Sequence, residues 1–256
     1  MIICFSGTGN SLAVARSLSA RLGDTVVRLG ASAPESLSAV TDSRIVWVMP
    51  VHCWGLPRYA VSAIRRLAIE GAEAVPHFLV LTCGDDTGLA DRQWRRLMRR
   101  KGWKPLAAHS VFMPNTYVLL PGFDVDKASV AAAKMKRMPE AVERIAHAIK
   151  CRSGVDSLHR GRMAWLKSRV LYPLFMRFLT SPKPFGADAG CVACGRCSEV
   201  CPLGNVTLAG ADGPRWGTDC TLCLGCYHVC PKHAVHYGSA TSRKGQWNGN
   251  LRNVRY

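Results

Sequence analysis

Short apolar runs alternate with segments of helical period over the first 150 residues. The apolar runs show little polar alternation and predict five strands, at residues 2–5, 25–29, 45–49, 78–82 and 107–112. The segments between and after them predict helices at residues 11–22, 58–70, 91–100 and 127–149. Strands of this kind, separated by helices, are typical of a parallel sheet covered on both faces. The pattern predicts an α/β domain over residues 1–150 with a doubly wound, five-stranded parallel sheet.

The pattern changes after residue 150. Residues 151–185 are predicted to form a basic helical linker, with Arg162, Arg169 and Arg177 on one side and a kink at Pro173. The other side of this helix is predicted to carry Ala164, Leu171, Phe175, Phe178 and Leu179. A small domain over residues 186–238 follows, and the C-terminal tail, residues 239–256, is expected to pack back on the first domain.

Eight cysteines form a repeat in the small domain. Each quartet has the spacing C-x2-C-x2-C-x3-C-P, and the second quartet follows the first by 29 residues. Three cysteines two residues apart lie on a tight loop that can bind three corners of one [4Fe–4S] cubane, while the fourth reaches the other cluster. The spacing therefore predicts two clusters. The assigned ligands are Cys191, Cys194, Cys197 and Cys230 for one, and Cys220, Cys223, Cys226 and Cys201 for the other.

Zinc is the alternative occupant of closely spaced cysteines. Zinc sites usually pair two C-x2-C units and close with four ligands, which does not match two identical quartets that each end in proline. The repeat resembles the bacterial two-cluster ferredoxins over residues 186–238. This resemblance implies a small α+β domain with two [4Fe–4S] clusters. His228 and His233 flank the second quartet, and we do not expect them to be ligands because the cysteine set is already complete.

A glycine-rich loop joins the first predicted strand to the first predicted helix. It consists of Ser6, Gly7, Thr8, Gly9, Asn10 and Ser11. A phosphate at this place can use free backbone N–H groups at the helix N-terminus. Leu12 stands where a dinucleotide fingerprint has its third glycine, and the lysine of a Walker loop is missing. The loop favours a phosphate monoester bound by neutral donors, although a glycine-rich turn without a ligand has the same sequence pattern.

This loop resembles the phosphate loop of flavodoxins, which bind FMN, and two later loops extend the resemblance. The second loop contains Pro50, Val51, His52, Trp54 and Gly55, and the third contains Cys83, Gly84, Asp85 and Gly88. The resemblance implies that Trp54 covers one flavin face and that the third loop lies beside the pyrimidine edge. All three loops follow strands, and a doubly wound sheet binds ligands at the carboxyl ends of its strands. The whole chain resembles a family of flavodoxin/ferredoxin fusion proteins.

Composition limits the class of protein further. The chain has 256 residues, of which 48% are apolar, enough for one full domain and a small second one. No apolar run reaches about 18 residues and no secretion signal is evident, so we expect a cytoplasmic protein. Twelve cysteines in such a protein favour metal binding over disulfides. The formal net charge is +17, whereas flavodoxins are usually acidic.

These features predict an electron-transfer iron–sulfur flavoprotein that passes single electrons between its clusters and FMN or a docked redox partner. A flavin-dependent reductase that uses the clusters as electron input is one alternative, and a redox- or iron-responsive binding protein is another. No catalytic residue is assigned. Arg92, Arg96 and Arg99 share a helix face and predict docking of an acidic redox protein. Peripheral membrane contact through the linker is the competing interaction, and no nucleic-acid-binding motif is evident.

Overall fold

The computed structural model of the chain describes residues 1–37 and 44–251. The strands are β1 (Ile2–Cys4), β2 (Val26–Arg28), β3 (Ser36–Leu37), β4 (Ile45–Pro50), β5 (Ala68–Ile69), β6 (Pro76–Cys83), β7 (Lys104–Phe112), β8 (Phe185–Ala187), β9 (Val206–Leu208), β10 (Pro214–Trp216) and β11 (Val235–Tyr237). The helices are α1 (Asn10–Leu22), α2 (Arg58–Arg66), α3 (Ala90–Arg100), α4 (Ala128–Lys150), α5 (Ala164–Leu166), α6 (Tyr172–Phe178), α7 (Arg196–Glu199) and α8 (Gly225–Val229). A π-helical turn, Lys167–Leu171, joins α5 to α6.

Five strands form one parallel sheet in the order β2-β1-β4-β6-β7. Numbered within the sheet, this order is 2-1-3-4-5, which is the flavodoxin-like form of the doubly wound fold. The predicted five-stranded parallel sheet is therefore confirmed. The predicted C-terminal end of one helix is wrong. The helix expected over residues 58–70 ends at Arg66, and β5 follows it. The chain leaves the helix there because the backbone of Ala68 pairs with β3 and with the carbonyl of Glu35.

Alternate side chains of the sheet contribute to two separate cores. Val46 and Val48 of β4 pack with α1 and α4 on one face. Ile45, Trp47 and Met49 of the same strand pack with α2 and α3 on the other face. Because both faces are buried, the strands show the continuous apolar runs seen in the sequence.

The small domain repeats its backbone as well as its cysteines. It contains two antiparallel pairs, β8 with β11 and β9 with β10, so that each pair joins one strand from each repeat. Left-handed backbone conformations occur at Gly195 and again at Leu224, and at Gly204 and again at His233. Each of these pairs is separated by the 29 residues of the sequence repeat. The two halves therefore fold in the same way around their cysteines.

The linker is helical only in its second half. Residues 151–162 run beside β7, where Ser157 forms a parallel bridge with His109. Helical structure extends from Ala164 to Phe178 through the π-helical turn. Pro173 lies just after this turn, where a residue that cannot donate a backbone hydrogen bond is tolerated. No helix among the described residues is long and apolar enough to cross a membrane.

The expected apolar side of the linker helix is divided in the structure. Phe175 is buried, whereas Leu171, Phe178 and Leu179 are exposed. The π-helical turn inserts an extra residue into the helical period, so a simple face assigned from the sequence does not continue through it.

His77 is a fully buried histidine in the core between the sheet and α3. Trp47 Nε1–H donates to His77 Nδ1 at 3.0 Å, and the Nε2 of His77 lies 2.9 Å from the carbonyl of Ala72. The His77 ring also stacks on Trp103. Burial lowers the pKa of His77 to about 4, so the folded protein holds the neutral ring.

We expect the free energy of unfolding to fall as the pH drops from 6.5 towards about 4. In this window the unfolded chain protonates His77 while the folded chain does not. His77→Gln keeps a donor and an acceptor but removes the titration. The slope of the unfolding free energy against pH should therefore decrease by at most roughly 1.4 kcal/mol per pH unit, which corresponds to the uptake of one proton. Urea unfolding at pH 7 and pH 5 measures this, with His147→Gln on the surface as the control. An unchanged slope in His77→Gln would contradict the assignment.

Candidate functional site

The carboxyl ends of the parallel strands border a cavity of about 80 Å³, which is smaller than the roughly 300–1,000 Å³ typical of cofactor pockets. The wall is formed by the loops after β1, β4, β6 and β7, together with one linker residue and one loop of the small domain. The residues are Gly7, Thr8, Asn10, Ser11, Pro50, Val51, His52, Cys53, Thr82, Cys83, Gly84, Met113, Pro114, Asn115, Thr116, Tyr117, Phe175, Leu222, Cys223 and Leu224. The cavity thus lies between the two domains.

The glycine-rich loop after β1 is buried and held in a fixed shape. Ser6 Oγ accepts a hydrogen bond from the backbone N–H of Leu12, and the hydroxyls of Ser11 and Thr82 are 2.7 Å apart. Asn10 Nδ2 donates to the carbonyl of Pro114. The hydroxyl of Thr8 lies on the cavity, 3.4 Å from that of Thr116. The loop therefore offers a preformed set of N–H and O–H donors at the start of α1.

Nine of the fifteen residues expected to bind FMN line this cavity, and six do not. The six are Ser6, Gly9, Trp54, Gly55, Asp85 and Gly88. Ser6 supports the loop from inside, and Gly9 lies under Asn250 of the tail, which leaves no room for a Cβ. Asp85 is exposed to solvent.

Trp54 does not cover the cavity, in contrast to what the resemblance implied. Its carbonyl accepts a hydrogen bond from Ser168 in the linker, and Lys167 Nζ lies 5.1 Å from the centre of its ring. Gly55 packs so closely on Tyr172 that a Cβ would overlap the ring. The linker helix therefore covers this loop. Tyr117 and Phe175 form the aromatic wall of the cavity in place of Trp54.

The sequence reasoning missed the loop after β7 and the residues from the small domain. Residues 113–117 could have been found, because they follow the fifth parallel strand and reach the same edge of the sheet. Phe175 and residues 222–224 come from distant parts of the chain, and no local pattern places them there. Tyr117 has a further feature: its hydroxyl is buried and has no hydrogen-bond partner among the described residues. A ligand in the cavity could provide that partner.

The titratable groups around the cavity are neutral at pH 7. Burial lowers the pKa of His52 to about 4 and raises the pKa of Cys53 to about 11. Burial also raises the pKa of Cys83 to about 12, with a smaller contribution from the nearby Asp86 and Asp85. Cys53 is consequently a thiol here and lacks the lowered pKa of a reactive cysteine.

The quartet assigned across the repeat is brought together in the structure. Cys201, Cys220, Cys223 and Cys226 line one small cavity beside Trp216. Trp216 Nε1–H lies 3.4 Å from the sulfur of Cys226, and the backbone N–H of Leu222 lies 3.3 Å from the sulfur of Cys220. Burial raises the pKa of Cys226 to about 12 and that of Cys220 to about 11, with the neighbouring cysteines adding to the effect. Four thiolates could occupy this cavity only with a compensating cation.

The other quartet is nearer the surface. Cys197 is buried, and burial together with nearby Cys194 and Cys191 raises its pKa to about 11. Cys194 is exposed. Equivalent cysteines in the two repeats have the same backbone contact. The backbone N–H of Asn205 lies 3.3 Å from Cys201 Sγ, and the backbone N–H of Ala234 lies 3.3 Å from Cys230 Sγ. N–H donors to sulfur are typical of iron–sulfur ligands.

Over the described residues, no three or more His, Cys, Asp or Glu side chains are arranged as the ligands of a single metal ion. In a zinc site of the usual kind, four ligands converge on one ion. A cubane differs because each cysteine binds a different iron at a separate corner, so its ligands surround a larger volume. Cys201, Cys220, Cys223 and Cys226 all line one cavity.

The two domains meet directly at the glycine-rich loop. A Cβ on Gly7 would overlap the Cβ of Cys223, and a Cβ on Gly225 would lie 2.6 Å from the carbonyl oxygen of Gly7. The backbone of the glycine-rich loop is therefore in van der Waals contact with a cysteine of the second quartet. Side chains are excluded from the contact at both glycines.

His228 connects three parts of the chain behind this contact. It is completely buried, it accepts a hydrogen bond at Nδ1 from the backbone N–H of Trp247, and its Nε2 lies 2.7 Å from the carbonyl of Thr116. The Nδ1 acceptor places the proton on Nε2, so the ring is neutral, and burial lowers its pKa to about 4. His233 lies 2.8 Å from the hydroxyl of Tyr227. Both histidines thus have structural partners.

The C-terminal tail lies along the domain boundary. Lys244 Nζ donates to the carbonyl of Phe123, and the backbone N–H of Gly245 donates to Asp124. Asn250 Nδ2 donates to Asn10 Oδ1 at 2.7 Å, over the glycine-rich loop. Residues 252–256 of the expected tail lie outside the described residues.

The sequence matches no protein-family model, and no curated protein matches it. Among solved structures, the Trp repressor binding protein from Bacillus subtilis is 7% identical, with 56% of this chain and 96% of that chain covered and a TM-score of 0.37. The Streptococcus pneumoniae TIGR4 flavodoxin is 13% identical, with 57% and 96% covered and a TM-score of 0.35. An FMN-dependent NADH-azoreductase from Bacillus anthracis is 10% identical, with 57% and 98% covered and a TM-score of 0.33. These scores are low, so the flavodoxin-like assignment rests on the strand order.

Gly7→Ala should separate the two domains, because the added methyl group has no space against Cys223. We expect a loss of about 1–3 kcal/mol in unfolding free energy, as for other overpacked sites. Faster proteolysis of residues 151–185 should accompany it. Gly186→Ala is the matched control, since a Cβ there meets no atom within 4 Å. If the two variants unfold and are cleaved alike, Gly7 does not maintain the domain contact.

Proposed function

We propose that this protein is an electron-transfer iron–sulfur flavoprotein, with FMN in the cavity between its domains and two [4Fe–4S] clusters in the small domain. The observation that carries this proposal is the shared wall of the two sites. Cys223 lines the cavity at the glycine-rich loop and also lines the cavity of the second cysteine quartet. Redox groups in these two sites would be close neighbours within one chain.

The residues that line the cavity offer the chemical groups that bind FMN, and the surrounding loops would move apart to admit the whole cofactor. The N-terminal end of α1, with the hydroxyls of Thr8 and Ser11, would hold the phosphate. Tyr117, with its unpartnered buried hydroxyl, and Phe175 would contact the ring system. FMN would supply a group that accepts or donates one or two electrons. His52, Cys53 and Cys83 are neutral at pH 7, so they add no charge and no thiolate to the cavity.

The cysteine sites fit cubanes better than zinc. Their spacing, the 29-residue backbone repeat and the N–H donors to Cys201 and Cys230 support two clusters. Cys201 lies with Cys220, Cys223 and Cys226, as the crossed ligand assignment requires. Each cluster would supply one electron at a time. Trp216 and the backbone groups around the sulfurs would exclude water and stabilise thiolate charge.

A carrier is better supported than a flavin-dependent reductase. A reductase needs an open space beside the flavin for a second substrate. In this chain Leu222, Cys223 and Leu224 close one side of the cavity, and Tyr117 and Phe175 form another wall. The small domain therefore occupies a place that a reductase would leave for its substrate.

The full-length chain should bind FMN and should prefer it to riboflavin, because the loop after β1 supplies phosphate donors. Thr8→Val removes one hydroxyl at nearly constant volume and should weaken FMN binding about tenfold. Thr25→Val, which changes an exposed threonine that does not line the cavity, is the control. Titration of flavin fluorescence measures each affinity. Absence of FMN binding at micromolar concentrations would refute the flavin assignment.

Anaerobically purified protein should contain about eight irons and about eight sulfides. Cys201→Ala should give the same electron paramagnetic resonance change as Cys220→Ala, because both lie in one cavity. Both should differ from Cys194→Ala, which belongs to the other quartet. Cys53→Ala provides a control outside the quartets. Stoichiometric zinc, or a Cys201→Ala spectrum that matches Cys194→Ala, would contradict the cluster assignment.

A further inference from the structure

The linker helix carries a concentrated strip of exposed apolar side chains. Eight of the thirteen large apolar side chains that are exposed among the described residues lie in this one segment. They are Met163, Trp165, Leu166, Val170, Leu171, Leu174, Phe178 and Leu179, which we call the apolar ridge. Phe178 is 70% exposed and Trp165 is 63% exposed. A contiguous apolar surface of this kind on a folded protein marks an interaction site.

The ridge is a fixed outer surface, because the opposite side of the same helix is anchored. Ser168 Oγ donates to the carbonyl of Trp54, and Tyr172 donates to the carbonyl of Leu56. Lys167 forms an ion pair with Asp86, and Phe175 is buried against Tyr117. The helix therefore cannot turn its apolar ridge into the protein without breaking these contacts.

A cluster of arginines lies next to the ridge. One surface cavity is lined by Arg92, Arg95, Arg96, Arg99, Arg100, Arg160 and Arg169, with Asp91 and Asp156 as its acidic residues. The two aspartates pair with Arg95 and Arg160. Within the described part of the chain, the other five arginines have no acidic partner. We call this set of seven the arginine cavity.

Arg169 makes the two features continuous. It belongs to the linker helix and lines the arginine cavity, and it also lines a second groove with Arg92, Arg96 and Pro173. The α3 helix and the linker helix thus border one surface that is apolar on one side and strongly cationic on the other. Unpaired like charges at this density repel each other and attract an anionic surface.

We propose that this surface docks on a bilayer that contains anionic lipids, with the apolar ridge in the boundary of the acyl chains and the arginine cavity against lipid phosphates. A bilayer offers both environments within a short depth, and Trp165 and Phe178 are the residue types that prefer its interface. An acidic soluble protein would complement the arginines but would leave the ridge against charged groups. Each arginine near an anionic surface contributes to the attraction, which salt weakens.

Sedimentation of the full-length protein with lipid vesicles tests this proposal. The protein should bind vesicles of phosphatidylcholine and phosphatidylglycerol and should bind phosphatidylcholine vesicles at least about tenfold less. Trp165→Glu with Phe178→Glu should abolish binding to the anionic vesicles. These side chains are largely exposed, so the fold should persist, and thermal unfolding checks this. Val155→Glu changes an apolar residue that is 73% exposed outside the ridge and should bind like the wild type.

A second variant pair tests the cationic part. Arg92→Glu with Arg96→Glu should weaken binding to the anionic vesicles at least about tenfold, and the difference should shrink as salt rises. Arg137→Glu with Arg144→Glu makes the same charge change on α4, which packs on the opposite face of the sheet, and should have little effect.

Two results would overturn the proposal. One is sedimentation that is absent, or unchanged in Trp165→Glu with Phe178→Glu, since the ridge would then have no role at a bilayer. The other is an absence of vesicle binding together with tight, salt-sensitive binding of an acidic ferredoxin that requires Arg92 and Arg96. That result would assign the surface to an acidic redox protein.

Discussion

The close approach between the glycine-rich loop and the second cysteine loop determines the arrangement of the whole chain. At this contact Gly7 meets Cys223 and Gly225 meets the carbonyl of Gly7, with no space for side chains. The small domain is therefore held over the carboxyl edge of the parallel sheet, which is the edge where doubly wound folds bind ligands. The cavity of the first domain and the cysteine cavity of the second share a wall because of this contact.

Two further elements hold the domains in this position. His228 links the small domain to the loop after β7 and to the tail, and its neutral state follows from its burial and from the hydrogen bond that its Nδ1 accepts from the backbone of Trp247. The tail then crosses the boundary and reaches Asn10 through Asn250. Groups buried in this way are costly to leave without partners, so the domain contact resists small displacements. The separation between the two candidate sites is therefore fixed.

The linker helix has different surroundings on its two sides. Its inner side occupies the loop of Trp54 and Gly55 and contributes Phe175 to the cavity wall. Its outer side presents the apolar ridge beside the arginine cavity. The same segment therefore contributes to the candidate flavin site on one side and to the proposed docking surface on the other.

The local sequence pattern was sufficient for the five parallel strands and the four helices around them, because side-chain period is a local property. The crossed ligand assignment stays a prediction from ligand spacing, and its four cysteines line one cavity. The local pattern was also sufficient for the position of the glycine-rich loop. Tertiary structure alone decided that Trp54 faces the linker and that Tyr117, Phe175 and Cys223 form the cavity wall. It likewise decided that helix 58–70 ends early and that Leu171, Phe178 and Leu179 face solvent. These outcomes depend on contacts with residues that are distant along the chain. A periodic pattern within one segment carries no information about those residues.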